Sequence, residues 1–264
     1  MSAEPRPAFG AVPAAAVIAE LLRVQHDVPE RTPVARFFGR SPLSDESRRW
    51  YLGALGEIEV ARRMDALGEG WTVLHSVPVG TRGSDIDHVV IGRAGVFTVN
   101  TKHHDGARVW VGRRKLLVNG QPTDHLRNAG YEATRVHELL SSAGGLVVPV
   151  TGLVVIVGAR DITIRERPDH VTVLRSQALI RWLQRQKPQL DDETVARIVT
   201  TASRTDTWTF ETPRPADGSA FAALQSEVTR ASRVRMLWGA AAFVVLLGVA
   251  APTAIDFYTR TFGG

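Results

Sequence analysis

The order of elements predicts an α/β (α+β) layered domain followed by a C-terminal transmembrane helix, and three observations carry that reading. Between about residues 50 and 205 a helix pattern, a series of short β-rich segments, a second helix, a buried strand and further helices succeed one another. Leu153–Val157 is apolar throughout, as in a strand covered on both faces. Met236–Ile255 contains no charged residue, and about twenty residues rising 1.5 Å each match a hydrocarbon core roughly 30 Å thick.

Taken in order, residues 1–43 read as an N-terminal arm and helix. The first thirteen residues carry three prolines, a helix pattern covers Ala14 to about Gln25, and a connector containing proline and arginine runs from Pro29 to Pro42. The spacing then predicts a long helix from Ser44 to Leu67, with Ser44, Asp45, Glu46 and Ser47 as start signals and Gly68 as a stop. Trp71–Val77, Asp85–Gly92, Val96–Lys102, Arg108–Val111 and Lys115–Val118 read as strands of a meander. Helices are expected at 124–141, 176–186 and 191–203, and a further strand at Val171–Leu174. The domain is thus placed at 44–204. Residues 205–235 read as a linker with Pro213, Pro215 and Gly218 leading into a juxtamembrane helix, 236–255 as the span and 256–264 as a short tail.

Composition narrows the function classes. A chain of 264 residues with 44% hydrophobic residues buries a real core rather than remaining disordered. The absence of cysteine excludes disulfides and cysteine-ligated zinc or iron–sulfur centres, and suits a reducing cytosol. The net charge of +5 favours polyanionic partners, either nucleic acid or anionic lipid. Ala14–Leu22 is short, is interrupted by Glu20 and lacks a basic n-region, so it does not read as a secretory signal. Arg230, Arg233 and Arg235 precede the apolar run while only Asp256 and Arg260 follow it. The positive-inside rule therefore predicts a single-pass cell-membrane protein whose long N-terminal part is cytoplasmic.

The candidate chemistry lies between Gly53 and Lys102. Asp85–Gly92 and Val96–Lys102 form a hairpin pattern around Gly92-Arg93-Ala94-Gly95, so Asp85 and Asp87 share one strand face, as do Asn100 and Lys102 on the next strand. Glu57 lies within the preceding helix. Taken singly, Glu57 reads as a solvated helix acid, Asp85 as a turn residue and Lys102 as an edge lysine. Asp87 is harder to place that way, because a carboxylate inside the apolar run Ile86–Ile91 needs exposure, a partner or a metal. His88 points to the opposite face and reads as a packed residue, while His103 and His104 run into a loop. On the helix after the meander, Tyr131, Glu132 and Arg135 are spaced to line one side, where Arg135 could meet a phosphate or an intrahelical partner.

Three pieces in order, Gly53-Ala54-Leu55-Gly56-Glu57, Asp85-Ile86-Asp87-His88-Val89-Val90-Ile91-Gly92 and Ala94-Gly95-Val96-Phe97-Thr98-Val99-Asn100-Thr101-Lys102, resemble the nuclease-related domain, NERD. That family belongs with the PD-(D/E)XK restriction-endonuclease-like nucleases. The resemblance covers roughly Leu52–Leu140 and implies a mixed sheet flanked by helices, a Mg²⁺ or Mn²⁺ cofactor and cleavage of DNA or RNA. It maps the catalytic set onto Glu57, Asp87, Asn100 and Lys102, and metal ligation onto Glu57, Asp87, Asn100 and the Thr101 carbonyl, with Asp85 and Arg135 as auxiliaries. Phosphodiester hydrolysis needs an activated water and stabilised phosphate charge, which hard cations on carboxylates supply. Lys102 would orient the water or stabilise charge. Asn100 departs from the pattern, where an acid is expected: the amide still offers a carbonyl oxygen but no charge. This predicts weaker metal binding, strengthened by Asn100→Asp. The alternative is a non-catalytic module binding nucleic acid or a protein partner at the membrane.

Overall fold

The structure is a computed structural model that describes residues 10–79, 85–208 and 216–262, with side chains beyond Gly248 described only at Thr261. Its elements are α1 (Ala15–His26), α2 (Pro33–Phe37), α3 (Asp45–Met64), β1 (Trp71–Pro78), β2 (Asp85–Gly92), β3 (Gly95–His103), β4 (Arg108–Val111), β5 (Leu116–Val118), β6 (Gln121–Thr123), α4 (His125–Gly144), β7 (Val150–Val157), β8 (Asp161–Ile164), β9 (Val171–Arg175), α5 (Leu179–Gln184), α6 (Asp192–Ala202) and α7 (Gly218–Phe262). The chain divides into two compact units, one of Met1–Glu20 with Arg49–Ala216 and one of Leu21–Arg48 with Asp217–Gly264.

The first unit is a mixed α/β structure with two mixed sheets. The larger has the order β1-β2-β3-β7-β9, antiparallel from β1 to β3 and parallel from β3 to β9. The smaller, β6-β5-β4-β8, joins β4 and β8 in parallel. The larger sheet is covered on both faces. Val136 and Leu140 of α4 and Ile198 and Ala202 of α6 meet Leu74, Val89 and Ile91 on one side. Val60 and Met64 of α3 and Leu179 and Leu183 of α5 meet Val90, Val99, Leu153 and Val155 on the other. Two-sided cover explains why β7 reads as a continuous apolar run. A third cluster packs Val109, Val111 and Leu116 of the smaller sheet against Leu126, Ala129, Val154 and Ile156.

One close approach sets the height of α4 above the sheet. A Cβ on Gly152 of β7 would lie 2.8 Å from the Ala129 carbonyl oxygen and 3.5 Å from the Ala133 Cβ. Backbone cannot step aside as a side chain can, so Gly152→Ala should lift α4 and cost about 1–3 kcal/mol, the usual penalty for overpacking a core. Equilibrium denaturation measures this, and unchanged stability would show that α4 does not depend on the contact.

Several details depart from the sequence expectation. Thr205–Trp208, expected to open the linker, is packed: Thr207 Oγ1 donates to the Thr201 carbonyl at 2.6 Å and Trp208 Nε1 to the Ala202 carbonyl at 2.9 Å. The linker prolines Pro213 and Pro215 lie outside the described residues. The residues expected as juxtamembrane helix, span and most of the tail form one helix, α7, whose stretch Gly218–Gly248 is long and apolar enough to cross a membrane by length and composition, and is mostly exposed among the described residues. Within the Pro29–Pro42 connector, α2 is started by Thr32, whose side chain accepts from Ala35 N, with Pro33 at the first helical position.

Candidate functional site

The ladder between β2 and β3 stops at His88↔Val99. Beyond it, where continued pairing would set Asp87 opposite Asn100, the Thr101 N–H donates to Asp87 Oδ2 at 2.5 Å. The carboxylate thus takes a place that a backbone carbonyl occupies in a regular ladder. Because the N–H and C=O of a strand residue lie on the same side, the Thr101 carbonyl faces the same opening. On its other edge β3 stays paired with β7 as far as His103↔Val157, so the strand carrying Asn100 and Lys102 is held rigidly while the β2 side opens.

Two helices complete the cluster. Glu57 lies on the core-facing stripe of α3 with Ala54, Val60, Ala61 and Met64, and is only 5% exposed. The helix is tied down nearby by Ser176 Oγ, which donates to Glu59 Oε1 at 3.0 Å. From the opposite face, α4 brings Glu132 to β3, where Asn100 Nδ2 donates to Glu132 Oε1 at 2.5 Å. Glu132 is the member that sequence reasoning left outside the site. It supplies a carboxyl group next to the residue that lacks one. Its signal in the sequence is its place beside the apolar stripe Leu126, Ala129, Ala133, Val136 and Leu140, all buried.

Electrostatics link these groups. Glu57 is raised well above the ordinary carboxyl range by burial, then by Asp87 and Asp85, with Lys102 opposing. Asp85 is pushed up to about 7 by burial and then by Asp87, and Glu132 to about 8 by burial and then by Asp87, with Lys102 and the Asn100 amide pulling down. Burial raises Asp87 too, against the opposing Lys102 charge and the Thr101 hydrogen bond. Four carboxyls around one lysine are over-supplied with negative charge. Without a further cation, part of the site holds protons instead.

This has a measurable consequence for the cation-free protein. The ordinary values are 3.8 for Asp85 and 4.5 for Glu132. Between those values and the raised ones the folded state binds more protons than the unfolded, so stability is full below the unfolded values and falls as pH rises through about 7 to 8. Melting temperature in chelator should therefore fall across that window, and Mg²⁺ or Mn²⁺ should offset the loss at its alkaline end. A melting temperature that ignores both pH and cation would contradict this charge arrangement.

The donor set fits a hard cation. Glu57 Oε2, Asp85 Oδ2, Asn100 Oδ1 and Glu132 Oε2 are buried with no hydrogen-bond partner among the described residues, and an orphaned buried oxygen is costly. Among the described residues no three His, Asp or Glu side chains form a ready metal cage. That is compatible with Mg²⁺, which uses one or two carboxylates and keeps several waters.

The remaining expected residues are placed as follows. Arg135 Nε donates to the Val79 carbonyl at 3.3 Å and its Nη1 to Glu138 Oε2 at 3.4 Å, an intrahelical pairing on the side of α4 toward β1. His88 is buried, and its Nδ1 lies 2.7 Å from His75 Nδ1; burial and then His75 hold it well below the ordinary imidazole value. His104 Nε2 lies 3.0 Å from His125 Nε2 in a stacked pair. Burial, followed by the Lys102 charge and then His104, takes His125 down to about 4, so it stays neutral beside the cluster.

Comparison with known proteins agrees on the segment that holds this cluster. Residues 52–157 match the family model of the nuclease-related domain, and Glu57, Asp85, Asp87, Asn100, Thr101, Lys102 and Glu132 all fall inside it. No curated protein and no solved structure matches the chain. Residues 52–157 of this chain are a nuclease-related domain, NERD.

Proposed function

We propose that the domain at 44–204 is a Mg²⁺- or Mn²⁺-dependent phosphodiesterase of the restriction-endonuclease-like kind, acting on DNA or RNA, and that residues 236–255 hold it at the cytoplasmic side of a cell membrane. The observation that carries the catalytic reading is the set of four buried, unpartnered oxygens of Glu57, Asp85, Asn100 and Glu132, whose three carboxyls all interact electrostatically with Asp87 and Lys102. One or two of the carboxylates of Glu57, Asp87 and Glu132, with the carbonyls of Asn100 and Thr101 and waters, would hold the cation. When bound, it would neutralise phosphate charge and make a water molecule more acidic.

The chain's own groups have separate tasks in this reading. The Thr101 N–H fixes the Asp87 carboxylate, and the Asn100 amide fixes Glu132 while leaving its own carbonyl oxygen free. Lys102 faces the same opening and meets a phosphate oxygen, stabilising charge that grows as water attacks phosphorus and the ester oxygen leaves. The non-catalytic alternative rests on Asn100, and an acid on α4, Glu132, beside that amide favours the catalytic reading.

Incubating the purified full chain with labelled DNA and RNA in Mg²⁺, Mn²⁺ or chelator tests the proposal. Cation-dependent cleavage supports it, and its absence on every polymer would leave a binding module. Lys102→Ala should depress cleavage far more than binding, because one ammonium is a small share of a polyanion contact, and binding should weaken with salt as phosphate contacts release counterions. Equal losses in both would remove Lys102 from the chemistry.

A further inference from the structure

In the second unit a short helix stands beside the long one with its apolar face outward. No residue of α2 is buried, and Val34, Phe37 and Phe38, one helical turn apart, are 65%, 60% and 55% exposed. Phe37 and Phe38 form a three-ring cluster with Trp238 of α7, with centroids 5.1 to 5.5 Å apart, and Trp238 is itself 41% exposed. The cluster is locked to α7. Trp238 Nε1 donates to the Phe37 carbonyl at 2.8 Å, and a Cβ on Gly39, whose φ is +68°, would sit 2.6 Å from both the Ala231 carbonyl oxygen and Arg235 N. Such rigid attachment of an outward apolar face is costly in water.

We propose that α2 and Trp238 form a headgroup-level foot that inserts into the interface of an anionic bilayer beside α7. This rests on the reading of 236–255 as a membrane span. Two features select that occupant. The exposed aromatic face continues directly into the exposed apolar surface of α7 at Leu237, Phe243, Val244, Val245 and Leu246, and aromatic rings are favoured at the boundary between hydrocarbon and water. Trp238 lies two residues past Met236, about 3 Å along the axis at 1.5 Å per residue, which is where that boundary falls if the span begins there. Arg36 and Arg40 lie in and just after α2, Arg230, Arg233 and Arg235 precede Trp238 on α7, where Arg235 donates to the Gly39 carbonyl, and the acids Glu30 and Glu227 are paired to Arg36 and Arg31. The surplus is cationic, as an anionic headgroup layer requires.

The chain has no cysteine, so one introduced cysteine takes a unique label. The full chain carrying an environment-sensitive fluorophore at Val34→Cys, Leu246→Cys or, as an exposed control, Val147→Cys is reconstituted into vesicles with or without phosphatidylglycerol. The expected result is deep shielding at 246, none at 147, and a several-fold intensity rise with a blue shift at 34 that is quenched by headgroup-level nitroxide lipids and is larger with phosphatidylglycerol. Water-like emission at 34 while 246 is shielded overturns the foot and leaves the anchor standing. Exposure at both positions overturns the anchor itself. Equal shielding at 34 in neutral and anionic vesicles overturns the charge selection.

Discussion

Asp87→Asn is expected to lower cation-dependent cleavage by at least about a hundredfold, which corresponds to about 2.7 kcal/mol of lost transition-state stabilisation. The substitution suits the site because an amide oxygen can still accept from the Thr101 N–H, so the opening between β2 and β3 keeps its geometry while losing one charge. Stability should move the other way. Asp87 raises the pKa of Glu57, Asp85 and Glu132 alike, so without a cation its neutralisation relieves repulsion on all three. A variant that melts higher in chelator and cuts far more slowly in Mg²⁺ is the expected pair of outcomes, read by thermal unfolding and single-turnover cleavage. A variant that cuts normally would remove Asp87 from the centre of the site.

The largest effect on cation affinity is expected at Glu132. Glu132→Gln removes the acid that stands beside Asn100 and should weaken divalent binding by at least about tenfold, equivalent to about 1.4 kcal/mol. The structure also changes the expectation for Asn100→Asp. A carboxylate there would sit within 2.5 Å of Glu132 Oε1 in place of an N–H donor, so repulsion replaces a hydrogen bond. In the cation-free state that single change should destabilise the protein rather than improve it. Transposing the two groups, as Asn100→Asp with Glu132→Gln, restores both the charge count and a donor–acceptor pair.

Much of the frame was legible because local patterns agreed with the tertiary outcome. β-rich composition on either side of the short turn Gly92-Arg93-Ala94-Gly95 marked β2 and β3, continuous apolarity marked β7, and Ser44 marked the start of α3, where its Oγ accepts from Ser47 N at 3.1 Å. The missed elements were those whose stability comes from neighbours. β8 is almost wholly exposed and acquires its strand geometry only from pairing with β4. β6 carries Pro122 and is three residues long, although Asn119-Gly120, with φ of +49° and +84°, is a strong hairpin turn. Thr32-Pro33 was a readable start for α2.

At the site the strands told more than the helices. Spacing on β2 and β3 shows that Asp87, Asn100 and Lys102 share a face, since the period is two and the hairpin is short. Which flank of α4 meets that face depends on how closely the helix packs at Gly152, a contact between residues far apart in the chain. Glu132 was therefore visible as a helix residue and not as the partner of Asn100.

The most direct test of the account is a divalent-cation titration of four proteins, wild type, Glu132→Gln, Asn100→Asp and the double variant, by calorimetry at a pH where the carboxyls are ionised. The predicted result is weakened binding in Glu132→Gln and recovery of most of it in the double variant, with cleavage following affinity. Binding in Glu132→Gln equal to wild type, or no recovery in the double variant, would contradict the claim that α4 supplies the acid this site lacks on its strand.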